Sequence, residues 1–263
     1  MQRRLFFAFG VFGHVIFLFV FAYMAGFVGN FLVPKSIDSP AAAGSPAVAV
    51  GVNLILLALF TVPHSVMARP TFKRWWTRFV PTAVERSVYV FTSNLLMIAL
   101  LVFWRPIDLV IWDVQNPVGR AAMWSLFAFG WLLVPAASLM INHFDLFGTR
   151  QVWLNLKQKA YTNLPFRTPM LYAVVRHPLY VGWITAFWAT PTMTAGHLLF
   201  AASLTVYMLI AITFEERNLV EHFGEPYVNY RRRVGALIPR FLTRSPQPAR
   251  ASGFAGVRRV EVR

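Results

Sequence analysis

The stretch that decides the fold is residues 5–33, LFFAFGVFGHVIFLFVFAYMAGFVGNFLV, which contain no Asp, Glu, Lys or Arg. About 20 apolar residues in a helix span the hydrocarbon core of a bilayer, so this run predicts a transmembrane helix with residues to spare. A cleaved signal peptide is not expected, because the apolar stretch is too long for one and no small-residue cleavage site follows it closely.

Other uncharged apolar runs predict more spans. Three of them are long enough to cross a bilayer, and a fifth, shorter stretch breaks at a Thr-Pro-Thr turn before a sixth one follows. These segments are residues 48–67, 87–104, 121–141, 179–189 and 197–214, with the turn at 190–192. The sequence therefore predicts an all-α integral membrane protein with four full transmembrane helices and a C-terminal transmembrane helical hairpin, five to six spans in all.

The composition agrees with a membrane protein. Of 263 residues, 57% are apolar and only 13% are charged, about half the charged fraction usual for soluble domains, which excludes a water-soluble enzyme. The formal net charge is +15, and on the predicted map all Lys and Arg residues except Lys35, Arg105 and Arg120 lie on one side. The positive-inside rule places both termini and the loop 142–178 in the cytoplasm, in a bacterial inner membrane. The charge therefore requires no nucleic-acid partner.

The chain reads as one transmembrane domain, residues 1–243, followed by a basic tail. Residues 244–263, RSPQPARASGFAGVRRVEVR, lack apolar periodicity and predict a disordered segment that touches anionic headgroups. The chain has no cysteine, which excludes disulfides, thiolate metal sites and a cysteine nucleophile. No tight ligand spacing such as HExxH occurs, so no metal site is predicted.

Polar residues gather at Arg176-His177-Pro178 and again at Glu215-Glu216. Proline suits the first position of a helix, so Arg176 and His177 flank a helix N-terminus, a ready site for a carboxylate or phosphate. Tyr180 lies four residues after Arg176 and faces the same ligand if the helix extends back that far, and Gly182 allows close approach. A topology-setting Arg before a proline-started helix is the structural alternative.

Two carboxylates at the predicted end of the last span oppose the helix dipole, so a cation should compensate them. Either Arg217 does so, or Glu215 or Glu216 holds the ammonium group of a ligand. Gly224 predicts a helix end and Pro226 a new start. Tyr227, Tyr230 and Arg231 then share one helical face, which suits either an interfacial helix or the aromatic wall of a pocket.

The runs 176–183 RHPLYVGW, 215–219 EERNL and 223–239 FGEPYVNYRRRVGALIP, in this order, resemble the integral-membrane S-adenosyl-L-methionine-dependent methyltransferases related to isoprenylcysteine carboxyl methyltransferase and phospholipid methyltransferases. The resemblance covers roughly residues 170–240. It implies a cofactor pocket at the cytoplasmic membrane face under a C-terminal helical cap. The implied cofactor contacts are Tyr172, Arg176, His177, Tyr180, Gly182, Glu215, Glu216, Tyr227 and Arg231.

The segments 64–69 HSVMAR, 142–148 NHFDLFG and 150–153 RQVW, with Glu85-Arg86, are similar to bacterial methanethiol S-methyltransferases from about residue 48 to 241. This resemblance implies methylation of methanethiol, a small apolar thiol, to dimethyl sulfide, with S-adenosyl-L-homocysteine as the second product. The acceptor stays open at this point: an isoprenylcysteine carboxylate, a lipid amine or a larger thiol are alternatives, as is a non-enzymatic membrane protein associated with denitrification. The oligomeric state also stays open.

A thiol must lose its proton to become a competent nucleophile. We expect His64, His143 and Asp145 to meet at the cytoplasmic ends of the second and fourth spans, where a neutral imidazole oriented by Asp145 acts as the general base. A helix cap and an interfacial histidine are the structural alternatives for these residues. His14 and His197 are expected at membrane ends or on the opposite side. Substrate contacts are predicted at Arg69, Asn142, Gln151 and Asn218.

Overall fold

A computed structural model describes residues 1–40 and 44–240, so the predicted tail 244–263 lies outside the described residues. The described part of the chain contains eleven helices and two short strands. The long helices are α1 (Gln2–Gly29), α2 (Pro46–Met67), α4 (Thr82–Phe103), α5 (Pro117–Ile141) and α10 (Ala195–Phe223). The short elements are α3 (Pro70–Trp76), β1 (Val110–Asp113), α6 (His143–Leu146), α7 (Thr149–Leu156), α8 (Leu171–Val174), α9 (Pro178–Trp188), β2 (Thr192–Thr194) and α11 (Glu225–Arg233).

The five long helices are each long and apolar enough to cross a membrane. Large apolar side chains such as Phe19, Val62 and Leu132 point outward and are exposed, which is the pattern of a helix whose outer face meets lipid rather than water. The predicted all-α integral membrane fold is confirmed. The four predicted full spans and the second arm of the hairpin each correspond to one of these helices and differ from it only at the ends, whereas the first arm corresponds to the short helix α9.

The first arm of the C-terminal hairpin is short, as the sequence indicated. Helix α9 has 11 residues, or about 17 Å at 1.5 Å per residue, roughly half the hydrocarbon thickness. The buried residues 189–191 lead into strand β2, and the His197 ring, near the start of α10, lies 2.9 Å from the Phe187 carbonyl oxygen. The chain therefore reverses direction around the predicted turn at 190–192.

Non-helical backbone at this depth needs internal hydrogen-bond partners, and strand β1 supplies them. β1 pairs with β2 in an antiparallel sheet, and the Pro191 carbonyl accepts from the Val114 amide at 2.9 Å. The Trp112 indole donates to the Thr190 carbonyl at 3.2 Å. This two-stranded sheet was not predicted, because each strand is too short to show an alternating pattern.

Two groups of helix ends define the poles of the bundle. One pole, hereafter the basic end, gathers the starts of α1, α4 and α9 and the ends of α2, α5 and α10, where the predicted basic loops lie. Contacts between His64 and Tyr89 and between Arg176 and Glu216 join elements at this pole. The β1–β2 sheet lies at the other pole, where the Ala195 amide donates to Leu109.

Helices α5 and α9 approach closely at glycines. A Cβ atom added at Gly182 would lie 2.9 Å from the Val134 side chain and 3.0 Å from the Gly130 carbonyl oxygen, and one added at Gly130 would lie 2.5 Å from the Ala186 amide. Small residues permit such close helix packing inside a membrane. The Cβ direction of Gly182 points at α5, which gives this glycine a packing role, and its predicted approach to a cofactor stays a prediction.

Candidate active site

The densest polar group at the basic end is a cluster formed by Arg176, His177, Glu215, Glu216 and Arg231, hereafter the carboxylate cluster. One oxygen of Glu216, Oε1, accepts from Arg176 Nε at 2.7 Å and from His177 Nε2 at 3.1 Å, and it lies 2.6 Å from Arg176 Nη2. The guanidinium of Arg231 lies 3.8 Å from the other Glu216 oxygen. Two Arg and two Glu balance the charge of this cluster.

The two adjacent carboxylates have different surroundings. The Glu216 side chain is 11% exposed and already paired, whereas that of Glu215 is 47% exposed. Glu215 accepts one hydrogen bond, from the Tyr180 hydroxyl at 3.0 Å, and lies 3.8 Å from His177 Nδ1. The Glu215 carboxylate is therefore the more accessible of the two, whereas the Glu216 carboxylate is occupied by Arg176 and His177.

One premise of the sequence prediction is wrong here and another is confirmed. Helix α10 continues to Phe223, so Glu215 and Glu216 lie two turns before its C-terminus, beyond the reach of the helix dipole. Helix α9 begins at Pro178, so Arg176 and His177 precede its first turn as predicted, and the Arg176 amide donates to the Gly235 carbonyl at 2.8 Å. Arg176 also donates through Nη1 to the Arg231 carbonyl at 3.1 Å, which fastens α11 to the cluster.

Aromatic side chains surround the carboxylate cluster. The Tyr180 ring stacks on the His177 ring, with centroids 5.5 Å apart. Tyr227 and Tyr230 share one face of α11, as predicted from their spacing, and both pack against Phe166. Burial raises the pKa of Tyr227, and it raises that of Tyr230 to about 12, so both phenols stay neutral hydrogen-bonding groups at physiological pH.

Tyr172 links this cluster to α5. Its buried hydroxyl donates to the Ala137 carbonyl at 3.4 Å, and its own carbonyl accepts from the Tyr230 hydroxyl. Burial raises the pKa of the Tyr172 phenol. The partners of the Tyr172 side chain lie within the protein, so its predicted contact with the cofactor stays a prediction.

His64 belongs to a second polar group, on α2 and α4. Its Nδ1 lies 3.0 Å from Ser93 Oγ, and its Nε2 lies 3.0 Å from the Tyr89 hydroxyl. The Ser93 oxygen also lies 2.8 Å from the Tyr89 carbonyl oxygen, and the Tyr89 hydroxyl lies within 3.2 Å of both ring nitrogens of His64. Tyr207 of α10 lies beside the His64 ring, with centroids 6.5 Å apart.

His143 has other partners than the predicted ones. Its Nδ1 lies 2.8 Å from Ser138 Oγ, and its Nε2 lies 3.3 Å from Nε2 of His14. Asp145 instead pairs with Arg150 at 2.8 Å. Within the described residues neither histidine hydrogen-bonds to Asp145, so the expectation of an imidazole oriented by Asp145 is wrong. The contact of His14 with His143, just after the end of α5, agrees with its expected place near a membrane end. His197 is fully buried near the other pole.

Three of the four residues predicted to contact the substrate hydrogen-bond to other residues of the protein, and the fourth does not. Arg69 donates to Ser65 at 3.0 Å and stacks over the Phe214 ring at 4.0 Å. Asn142 caps α6 by accepting from the Asp145 amide at 3.0 Å. Gln151 donates to the Asp145 carbonyl at 3.2 Å. Asn218 is half-buried on α10 and makes no side-chain hydrogen bond within the described residues.

Several polar residues of these groups escaped sequence reasoning. They are His14, Tyr89, Ser93, Ser138 and Tyr207. Each stands alone in an apolar run, where no local pattern separates a packed polar side chain from a functional one. In the described residues no group of three or more His, Asp or Glu is placed to hold a metal ion.

Fold and site together define a polytopic helical membrane protein with a charge-balanced polar cluster and two half-buried histidine groups. Its relatives include the methanethiol S-methyltransferase of Mycobacterium tuberculosis, 50% identical over 91% of this chain and 98% of the relative. The methanethiol S-methyltransferase of Crocosphaera subtropica is 48% identical over 91% and 93%. This chain therefore belongs to the methanethiol S-methyltransferase family.

More distant relatives include the Nurim homolog of Drosophila pseudoobscura pseudoobscura, which is 31% identical over 64% of this chain and 68% of the relative. No protein-family model matches the chain, and no solved structure matches it. The resemblance seen in the sequence motifs is thus confirmed by whole-chain similarity.

Proposed function

We propose that this protein methylates methanethiol to dimethyl sulfide and takes the methyl group from S-adenosyl-L-methionine. The observation that carries this proposal is the identity of 47–50% to proteins named methanethiol S-methyltransferase. The similarity extends over 91% of this chain for both the Mycobacterium tuberculosis and the Crocosphaera subtropica relatives. A shared fold alone would not support a shared substrate.

The carboxylate cluster fits the amino acid end of the methyl donor. Glu215 offers a half-exposed carboxylate for an ammonium group, and Arg231, whose side chain is 46% exposed, offers a guanidinium for a carboxylate. Tyr180, which donates to Glu215, supplies an aromatic ring beside this carboxylate, and the buried Tyr227 packs against Tyr230. Glu216 and His177 hold Arg176 in place, so their contribution to donor affinity is indirect. When bound, S-adenosyl-L-methionine supplies an electrophilic methyl group attached to a sulfonium.

Residues of the protein position the thiol substrate and take its proton. Methyl transfer to sulfur requires a thiolate, and His64 presents a neutral imidazole whose Nε2 faces the Tyr89 hydroxyl. Apolar helices around this group exclude water. Thiolate and sulfonium carry opposite charges that disappear in the products, so a water-poor site need not stabilise new charge.

We place the site at the cytoplasmic face of a bacterial inner membrane. The support is the clustering of basic residues at one pole of the bundle, which the positive-inside rule assigns to the cytoplasm. The carboxylate cluster and His64 lie at that same pole. Labelling of single cysteines introduced at Arg3 and Asp108 of this cysteine-free chain, in intact cells with a membrane-impermeant reagent, tests the sidedness: Asp108 should react and Arg3 should not.

The decisive experiment incubates purified protein with S-adenosyl-L-methionine and methanethiol and measures dimethyl sulfide in the headspace by gas chromatography. Ethanethiol, a prenylcysteine and phosphatidylethanolamine are run in parallel as competing acceptors. We expect methanethiol to give the highest kcat/KM. Methylation of the prenylcysteine or the lipid amine in preference to methanethiol would contradict the proposed acceptor, and absence of methyl transfer to any of them would contradict the enzymatic proposal.

A further inference from the structure

A cavity of about 460 Å³ at the basic end has an excess of positive charge. It lies between α3, the start of α4, α7 and the segment that follows α7, and it is hereafter called the basic cavity. Its charged lining residues are three cations and one carboxylate: Lys73, Arg86, Lys159 and Glu85. Its volume lies within the range of roughly 300–1,000 Å³ that ligand pockets have. No residue of the carboxylate cluster lines it, so it is separate from the proposed donor site.

The cations of the basic cavity have no acidic partner. Within the part of the chain that the structure describes, Lys73, Arg86 and Lys159 form no ion pair. Asp145, the acidic residue of the neighbouring helix α6, is already paired with Arg150 at 2.8 Å. The side chains of Lys73 and Arg86 are half-buried, and their charged nitrogen atoms keep accessible surface. A ligand in the cavity can therefore reach both of them.

Lys73 and Arg86 also act on each other. Burial, and next the positive charge of Arg86, lowers the pKa of Lys73, whereas Glu85 and Asp145 oppose this shift with smaller effects. Glu85 lies in the first turn of α4, where the helix dipole favours a carboxylate, so its position has a reason of its own. An anion bound beside two like charges favours their charged forms and relieves their repulsion.

Helix α3, which carries Lys73, has the aromatic surface of a membrane interface. The rings of Phe72, Trp75, Trp76 and Phe79 contact one another in sequence, with centroids 5.4–5.8 Å apart. The side chains of Trp75 and Phe79 are 49% and 70% exposed. Because exposed tryptophan is typical of the boundary between membrane and water, α3 puts Lys73 at the level of the lipid headgroups.

We propose that the basic cavity binds the phosphate group of an anionic phospholipid, such as phosphatidylglycerol, from the leaflet at the basic end. Arg86 donates a forked pair of hydrogen bonds to phosphate oxygens, and Lys73 binds the same group as a point charge. The exposed Lys159 adds to the positive potential. Pockets of this kind, basic and set between membrane helices, suit anionic headgroups. Phosphatidylglycerol has no amine, so it is a ligand of this site and not a methyl acceptor.

Lys73→Gln and Arg74→Gln form a matched pair of variants. Arg74 is the next residue on α3, is exposed and does not line the cavity. Purified protein in a nonionic detergent is titrated with dioctanoyl phosphatidylglycerol, and bound lipid is counted by native mass spectrometry. We expect one lipid to bind the wild type saturably. Lys73→Gln should weaken this binding at least about tenfold, the usual effect of losing a hydrogen bond to a charged group, whereas Arg74→Gln should weaken it less than about threefold.

Thermal stability provides a second readout with an opposite sign. Since Lys73 has a like charge beside it and no ion-pair partner in the described residues, lipid-free Lys73→Gln should melt at or above the wild-type temperature. Phosphatidylglycerol should raise the wild-type midpoint, because a ligand of the folded state stabilises it, and should leave that of Lys73→Gln nearly unchanged. A variant that melts below the wild type without lipid, or does not fold, would show a structural role for Lys73 and contradict the proposal.

Other anions and lipids distinguish the source of the phosphate. Dioctanoyl phosphatidylcholine should bind more weakly than phosphatidylglycerol, because its ammonium group meets the same cations. If inorganic phosphate raises the midpoint as much as phosphatidylglycerol at equal concentration, the cavity binds free phosphate and the lipid assignment is overturned. Equal loss of lipid binding in Arg74→Gln and Lys73→Gln would indicate general attraction to the basic end and overturn the cavity as the site. Methyl transfer enters none of these measurements, so their outcome is independent of the proposed function.

Discussion

The difference in burial and pairing between Glu215 and Glu216 leads to a testable prediction. In Glu216→Gln the Arg176 guanidinium, whose side chain is 10% exposed, loses its charged partner while it remains buried. Removing one partner of a buried ion pair costs about 3–5 kcal/mol, because the other charge stays behind uncompensated. We therefore expect Glu216→Gln to destabilise the protein strongly.

At about 2–4 °C per kcal/mol for a chain of this size, the loss corresponds to a fall of roughly 6–20 °C in thermal midpoint. The assay is tryptophan fluorescence against temperature in one detergent, with S-adenosyl-L-methionine affinity measured below the transition by calorimetry. Glu215→Gln is the matched variant: it should leave the midpoint within about 1 °C, since partly exposed charges contribute little to stability, and it should weaken donor binding at least tenfold.

The double variant Arg176→Gln/Glu216→Gln completes a thermodynamic cycle. It should be more stable than Glu216→Gln alone, because it buries no unpaired charge. The reasoning is refuted if Glu216→Gln melts like the wild type, or if Glu215→Gln lowers the midpoint as much as Glu216→Gln does. Loss of donor affinity in Glu216→Gln without any loss of stability would return Glu216 to the role of a direct ligand.

Three further predictions concern packing and pH. Gly182→Val should lower the thermal midpoint by several degrees, because its side chain would meet α5, whereas Gly51→Val, where a Cβ meets nothing within 4 Å, should not. Burial, and secondly the neighbouring His14, lowers the pKa of His143. The free energy of unfolding should therefore be highest above about pH 6.5 and should fall as the pH drops below that value. Thermal midpoints from pH 5 to 8 would show this fall, and it should be smaller in His143→Gln. Asn94→Ala removes a buried hydrogen bond to the Gly13 carbonyl of 2.9 Å and should cost about 1–3 kcal/mol, measured as a loss in denaturant midpoint.

The sequence predicted most of the fold because insertion of a helix into a membrane depends on the apolarity and charge of a short, continuous segment. Uninterrupted apolar runs located the spans, and Lys and Arg counts located the basic end. Gly224 and Pro226 marked the boundary between α10 and α11 correctly, since a helix end depends on the backbone preferences of a few residues. The short first arm of the hairpin was recognised, but its pairing with β1, some 80 residues away in the chain, was not, because strand pairing depends on the tertiary fold.

What the amino-acid order by itself determined was which segments cross the bilayer and which motifs meet at one pole. Tertiary structure alone decided the division of roles within those motifs. Adjacent residues on a helix point about 100° apart, so Glu215 and Glu216 look equivalent in sequence until packing buries one against Arg176 and leaves the other half-exposed. Likewise His14 is one polar residue in an apolar run until the fold brings His143, 129 residues away, to within 3.3 Å of it.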